Sequence, residues 1–116
     1  MNNLSTVIGD HNSPLIKKTI SRVLHETSKK FPNKPAIISC IENKTYNYTE
    51  LNSEVNIACK SLLKLGASKN DRLALLSTNR TEWLIIHYAA IRIGLIVVTI
   101  NPALRSSEIE FILNDS

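Results

Sequence analysis

The chain has 116 residues, of which 43% are hydrophobic and 21% charged, close to the average soluble protein. That balance excludes wholesale disorder and a collagen-like repeat, and a globular chain of this length buries roughly 65% of its unfolded surface. Fourteen Lys and Arg against ten Asp and Glu leave a net charge of +4. The only basic doublets, Lys17-Lys18 and Lys29-Lys30, read as solvated surface, so no nucleic-acid partner is expected.

Residues 1–18, rich in Asn and Ser with Gly9 and Pro14 among them, have no clear period and read as a flexible N-terminal arm. Thr19 is a plausible N-cap for a helix on which Ile20, Val23, Leu24 and Phe31 share one face. Pro32 and Pro35 end it, because proline lacks the amide donor and restricts the residue before it. Two short strands follow, 35–41 and 45–49, joined by the polar Glu42-Asn43-Lys44, which reads as a β-hairpin.

Thr49 is the expected cap of the next helix, which carries a stripe of Leu51, Val55, Ala58, Leu62 and Leu65 at helical spacing. Gly66 stands where a left-handed terminator is wanted. A polar turn at 69–71 leads into a strand over 72–77. The segment 81–93 reads as a helix apolar nearly all round, with Trp83 among its buried residues and Gly94 as its end. Leu95 to Ile100 is a continuous apolar run, as in a parallel strand covered on both faces. The 18 residues 83–100 are apolar enough to raise the question of a membrane span. His87, Arg92 and Gly94 argue against one, and a helix followed by a strand accounts for them better. Past the Asn101-Pro102 break, Ser107 and Glu110 form a candidate capping box for a last helix with Ile112 and Leu113 on its apolar side.

Helix, hairpin, then alternating strands and helices predict an α/β fold with right-handed crossovers, the 72–77 and 95–100 strands lying parallel and adjacent or nearly so. Two or three parallel strands are few for a closed domain, so the chain reads as cut from something larger. Cys40 and Cys59 lie in apolar stretches and read as small core residues in a reducing compartment, with no disulfide framework or zinc site. The first residues lack a basic leader and a sustained apolar run, so a cytoplasmic location is expected.

Little chemistry is written in the residues. The three glycines, Gly9, Gly66 and Gly94, are isolated, whereas a phosphate-cradling loop needs them clustered. His11, His25 and His87 lack metal-ligand spacing; His25 reads as wet and His87 as packed. Glu108 and Glu110 diverge on their helix, and capping explains Glu110 better than acid–base work. No catalytic, cofactor-binding or metal-binding residue is therefore expected in this span.

The run from Thr45 to Ser116 nevertheless resembles the opening of the AMP-forming adenylating enzymes: acyl-CoA synthetases, adenylation domains of peptide synthetases, and luciferases. The matching features are Tyr48-Thr49-Glu50-Leu51 at a helix start, Leu65-Gly66 before Asn70-Asp71-Arg72, and Asn79 with Glu82-Trp83. Ala89-Ala90, Gly94 and Asn101-Pro102 with Glu108 continue the series, and Phe31-Pro32 through Ala36 extends it upstream. The Val98-to-Glu108 stretch is most similar to fatty-acyl-CoA synthetases. Asn70 stands where that family usually has glycine, a substitution a left-handed turn tolerates.

The resemblance implies that residues 19–116 are the truncated first layer of the large N-terminal domain of an acyl-CoA synthetase: a short hairpin plus parallel strands with packed helices. It implies an intact ligase that uses ATP, Mg2+ and CoA on a fatty acid. The phosphate loop and nucleotide contacts would lie beyond Ser116, in the remainder of the parent chain. These residues alone would then be a non-catalytic scaffold that binds none of the cofactors. A stand-alone binding module built on the same scaffold is the alternative. An unrelated receiver-like domain would need acids at its strand ends, where Ser77, Asn79 and Asn101 stand instead.

Overall fold

In the computed structural model, which describes Gly9 and residues 15–116, the order is α1 (Ile20–Lys30), β1 (Pro35–Ser39), β2 (Lys44–Asn47), α2 (Tyr48–Lys64), β3 (Arg72–Leu76), α3 (Thr81–Arg92), β4 (Ile96–Ile100) and α4 (Ser106–Asp115). The arm expected over 1–18 lies mostly outside the described residues; 15–19 form neither helix nor strand. No helix is long and apolar enough to cross a membrane among the described residues. The 83–100 run divides at Gly94 into a helix and a strand.

Helix α1 starts where its cap predicts, the Thr19 hydroxyl accepting the Arg22 amide at 3.2 Å. Its inward face is narrower than the pattern suggests. Leu24 and Ser28 are buried, while Ile20 and Phe31 stay exposed.

The hairpin pairs antiparallel, Ile37 with Tyr46 and Ser39 with Lys44. Strand β1 is shorter than the apolar run that contains it. The Ser39 hydroxyl donates to the Glu42 carboxylate at 3.2 Å and accepts the Glu42 amide at 3.3 Å, which turns the chain after Ser39. Cys40 and Ile41 therefore fall in the turn and are exposed, and Cys40 is not a core residue. Asn43 completes the turn at φ +49°.

The cap of α2 lies two residues before the expected one. Asn47, not Thr49, is the N-cap: its side-chain oxygen accepts the Glu50 amide at 2.8 Å, and the Glu50 carboxylate accepts the Asn47 amide at 2.8 Å. Leu51, Val55, Ala58 and Leu62 face the core as their spacing requires, joined by Cys59. Leu65 does not; it is the C-cap and is exposed. Gly66 follows at φ +91°.

Strands β3 and β4 are adjacent and parallel, Arg72 opposite Ile96 through Leu76 opposite Ile100, with α3 as the crossover. Gly94 closes α3 at φ +82°, and its carbonyl accepts the Asn70 amide at 2.9 Å. Asn70 itself sits at φ +74°, the left-handed turn its side chain tolerates. A Cβ on Gly94 would lie 3.0 Å from Lys69 Cγ, so both backbone angle and space favour glycine there.

Ten buried residues, running from Leu24 through α2 and α3 to Leu95, form one core. Strand β4 is not covered on both faces: Ile100 is buried, but Ile96 is about half exposed, as is Leu76 at the end of β3. Helix α3 is also less enclosed than its composition suggests, and Trp83 is only partly buried at the rim of the structure. Helix α4 buries no residue; Ile112 is partly covered and Leu113 exposed. Its first turn is held by Glu108, whose carboxylate accepts the Arg105 amide at 2.8 Å, so the capping carboxylate is Glu108 rather than Glu110.

Candidate functional site

Parallel α/β sheets bind ligands outside the carboxyl ends of their strands, where the connecting loops diverge. The described residues place a cleft of about 540 Å3 there. Ser77, Thr78 and Asn79 leave β3, Thr99, Ile100, Asn101 and Pro102 end β4, and Trp83 from the first turn of α3 forms a wall. Ser77, Asn79 and Asn101, which the sequence alone puts at strand ends, thus meet in one place.

Local hydrogen bonding explains part of its shape. The Ser77 hydroxyl donates to the Thr78 carbonyl at 3.0 Å. Asn101 accepts the Ala103 amide on its side-chain oxygen at 2.9 Å, a turn that directs the chain away from β4. His87, one helical turn below Trp83, stacks on the indole with centroids 5.0 Å apart and planes 20° from parallel. Its Nδ1 is buried with no hydrogen-bond partner. The histidine is packed, as its setting in an apolar helix suggests, and its ring fixes Trp83.

The lining of this cleft is amide, hydroxyl, indole and aliphatic, with no acid or base. It can accept and donate hydrogen bonds and offer a stacking surface. It can neither move a proton nor neutralise a triphosphate. Among the described residues no group of three His, Cys, Asp or Glu side chains is placed to hold a metal ion.

A concentration of charge lies beside it and is structural. Glu42, in the hairpin turn, accepts both the Thr81 hydroxyl and the Thr81 amide, the latter at 2.9 Å, and so caps α3 from 39 residues away. Lys44 bonds Glu82 at 2.8 Å, and Arg80 approaches Glu42 at 3.7 Å and Glu82 at 3.4 Å. The Thr81 hydroxyl, then the Thr81 amide, hold the Glu42 carboxyl down to about 2. Its bond to Lys44 likewise lowers Glu82, and the same bond raises Lys44. A carboxylate so well solvated by donors is a poor base; its work is to latch the hairpin onto α3. The Glu42–Thr81 pair was invisible in the sequence because its members are far apart and neither belongs to a local capping pattern.

A second polar knot fastens the helices. Arg92, at the end of α3, donates from Nε to Ser21 of α1 at 2.9 Å, and from Nη1 and Nη2 to Asn56 and Asn52 of α2 at 2.7 and 3.0 Å. The fixed fork of the guanidinium suits three acceptors on two helices. Cys59 donates to the Ala89 carbonyl at 3.5 Å, and burial pushes its thiol pKa up, so it is an inert core thiol.

The model of the AMP-binding enzyme family matches residues 24–116. The mitochondrial medium-chain acyl-CoA ligase ACSF2 of Rattus norvegicus is 37% identical over 110 residues, which is 95% of this chain and 18% of that protein. A Mycobacterium tuberculosis fatty acyl CoA synthetase superposes with a TM-score of 0.80 at 31% identity, over 83% of this chain and 19% of its own. The inhibitor-bound N-terminal domain of FACL13 from the same organism gives 0.82 at 32%, over 85% of this chain and 25% of its own. The chain thus spans about a fifth of the length of these ligases and shares the fold of their N-terminal domain. With the family model matching residues 24–116, and the fold agreeing, the chain belongs to the AMP-binding enzyme family.

Proposed function

We propose that residues 19–116 are the opening layer of the adenylating domain of an AMP-forming fatty-acyl-CoA ligase, with residues 1–18 a flexible arm. In such a ligase a fatty-acid carboxylate attacks the α-phosphorus of ATP and pyrophosphate leaves. The CoA thiol then attacks the acyl carbon of the adenylate and AMP leaves. ATP, Mg2+ and CoA are the implied cofactors, and fatty acid, ATP, CoA and the remainder of the parent chain the implied partners. The observation that carries this reading is the 110-residue match to a medium-chain acyl-CoA ligase, on the same fold as a fatty acyl CoA synthetase.

Within that reading these residues serve as scaffold and hold no catalytic, cofactor-binding or metal-binding side chain. The strand-end cleft lacks charge for a triphosphate, and Gly66 and Gly94 terminate helices instead of cradling phosphate. Carboxylate-dependent exchange of pyrophosphate into ATP, measured on the full-length gene product with a panel of fatty acids, should be positive. No exchange with any acid would overturn the ligase reading. Titrating ATP-Mg2+ into the 116 residues should leave amide signals unmoved, and saturable, localised shifts would reveal a nucleotide site here. A cytoplasmic location belongs to the same proposal; the rat relative is a mitochondrial enzyme, and imaging a fluorescent fusion of the full-length product distinguishes the two.

A further inference from the structure

The bonds between the hairpin and α3 fall between two walls of the strand-end cleft. Helix α3 has no local side-chain cap, its N-cap position being Arg80. Its first turn is held from the hairpin instead. Glu42 accepts the Thr81 amide at 2.9 Å as well as the Thr81 hydroxyl, and Lys44 donates to Glu82 at 2.8 Å. Arg80 approaches the same Glu42 carboxylate at 3.7 Å. On its other side that carboxylate accepts the Ser39 hydroxyl at 3.2 Å, so its place in the hairpin turn is fixed. The gripped residues are thus 80–82. The residues on either side of them, Asn79 and Trp83, both line the strand-end cleft. Thr81 is 3% exposed, so its contact with Glu42 is internal to the fold.

The indole is the last link of this series. Trp83 stacks on His87 with centroids 5.0 Å apart, and the His87 Nδ1 is buried without a partner, so no bond at that nitrogen ties the stack to another element. The stack holds the indole to its own helix, and the Glu42 bonds hold the start of that helix to the hairpin. A Ser or Asp at position 80 would cap α3 locally; a cap supplied from 39 residues away works only while the hairpin is in place. We propose that Glu42 is a positioning residue for the strand-end cleft: through Thr81 it sets the first turn of α3, and with it the placement of Trp83 and Asn79. A displacement of the hairpin is thereby passed to the cleft, and a change at the cleft is passed back to the hairpin, because coupling between two places is reciprocal. This inference is independent of the ligase reading.

A fluorine label and amide exchange, both on the full-length gene product, test it. In protein made with 5-fluorotryptophan, the Trp83 resonance is assigned by its loss in Trp83→Phe. Glu42→Ala should shift or broaden that resonance. It should also speed amide exchange over residues 81–87 by roughly fivefold, the effect of losing one helix cap, while α2 keeps its wild-type rates. Glu42→Gln, which keeps an acceptor oxygen, should give a smaller change of the same kind. Thr19→Ala removes the cap of α1, a loss of the same order, and should leave the Trp83 resonance in place. Should Glu42→Ala fail to fold, Thr81→Val, which deletes the hydroxyl donor, is read in its place with the same expected direction. A wild-type Trp83 resonance in Glu42→Ala would overturn the proposal. So would exchange that rises equally in α2 and over 81–87, or a Thr19→Ala variant that moves Trp83 as far, since Glu42 would then be a stabilising contact only.

Discussion

Helices α2 and α4 carry similar apolar patterns and meet different fates. Leu51, Val55, Ala58 and Leu62 of α2 are buried against α1, α3 and the hairpin. In α4 no residue is buried, and Phe111 and Leu113 stay 69% and 52% exposed. Periodicity therefore states which face a helix offers, while burial depends on whether another element is there to receive it. The comparison extends to the sheet, where β4 is buried at Ile100 and about half open at Ile96.

Leucine truncation is the sharpest way to break this contrast. Leu62→Ala should cost about 2–5 kcal/mol through the cavity it leaves, whereas Leu113→Ala should stay within about 0.5 kcal/mol. Urea midpoints of the two variants check this. Equal losses would mean that α4 is packed in solution and that the two helices do not differ.

Next in size is the Arg92 knot, which holds the well-packed side together. Arg92→Leu removes three charge-assisted hydrogen bonds at partly solvated positions and should cost about 1–3 kcal/mol. A melting temperature unchanged from wild type would show that apolar packing alone fixes α1 against α2 and α3.

The helix caps sharpen the comparison at single-residue scale. Asn47→Ala should cost about 1 kcal/mol, and Thr49→Ala, inside the first turn, only a few tenths. Chemical denaturation of both variants decides between the two capping positions, and a larger loss at Thr49 would return the cap to the position its residue type suggests.

The smallest effect is expected from the ionic latch, whose groups are largely screened by solvent. The Glu42 pKa is depressed on folding from 4.5 to about 2, so its stabilisation is present in full above about pH 4.5 and fades as pH falls toward 2. The difference in urea midpoint between wild type and Glu42→Gln should be constant from neutral pH to about 5 and shrink below 4.5. A difference that grew on acidification would reverse the assigned sign.

The order and type of every element were legible in the residues, because each was announced by a local cause. Helical spacing announced α2, β-branched continuity announced β4, and Gly66 and Gly94 announced the ends of α2 and α3. The misread residues share a different cause. Cys40, Leu65 and Trp83 are apolar residues near an element's edge, where hydrophobicity cannot say whether the chain is about to turn or whether a neighbour covers it. Residue type points to Thr49 and Glu110 for helix capping, yet a shift of two residues places Asn47 and Glu108 in those roles.

Family membership was also legible, since it rests on an ordered series of short motifs that needs no coordinates. The strand-end cleft was not, although Ser77, Asn79 and Asn101 could be placed at strand ends beforehand. What the sequence determined by itself is whatever depends on a few consecutive residues: backbone propensity, capping chemistry, positive-φ glycines and the alternation of strand and helix. Tertiary structure alone decided what joins residues far apart, such as Glu42 reaching Thr81 and Arg92 bridging Ser21 and Asn56. Those contacts depend on packing geometry that closes loops of tens of residues, and no window along the chain contains both partners.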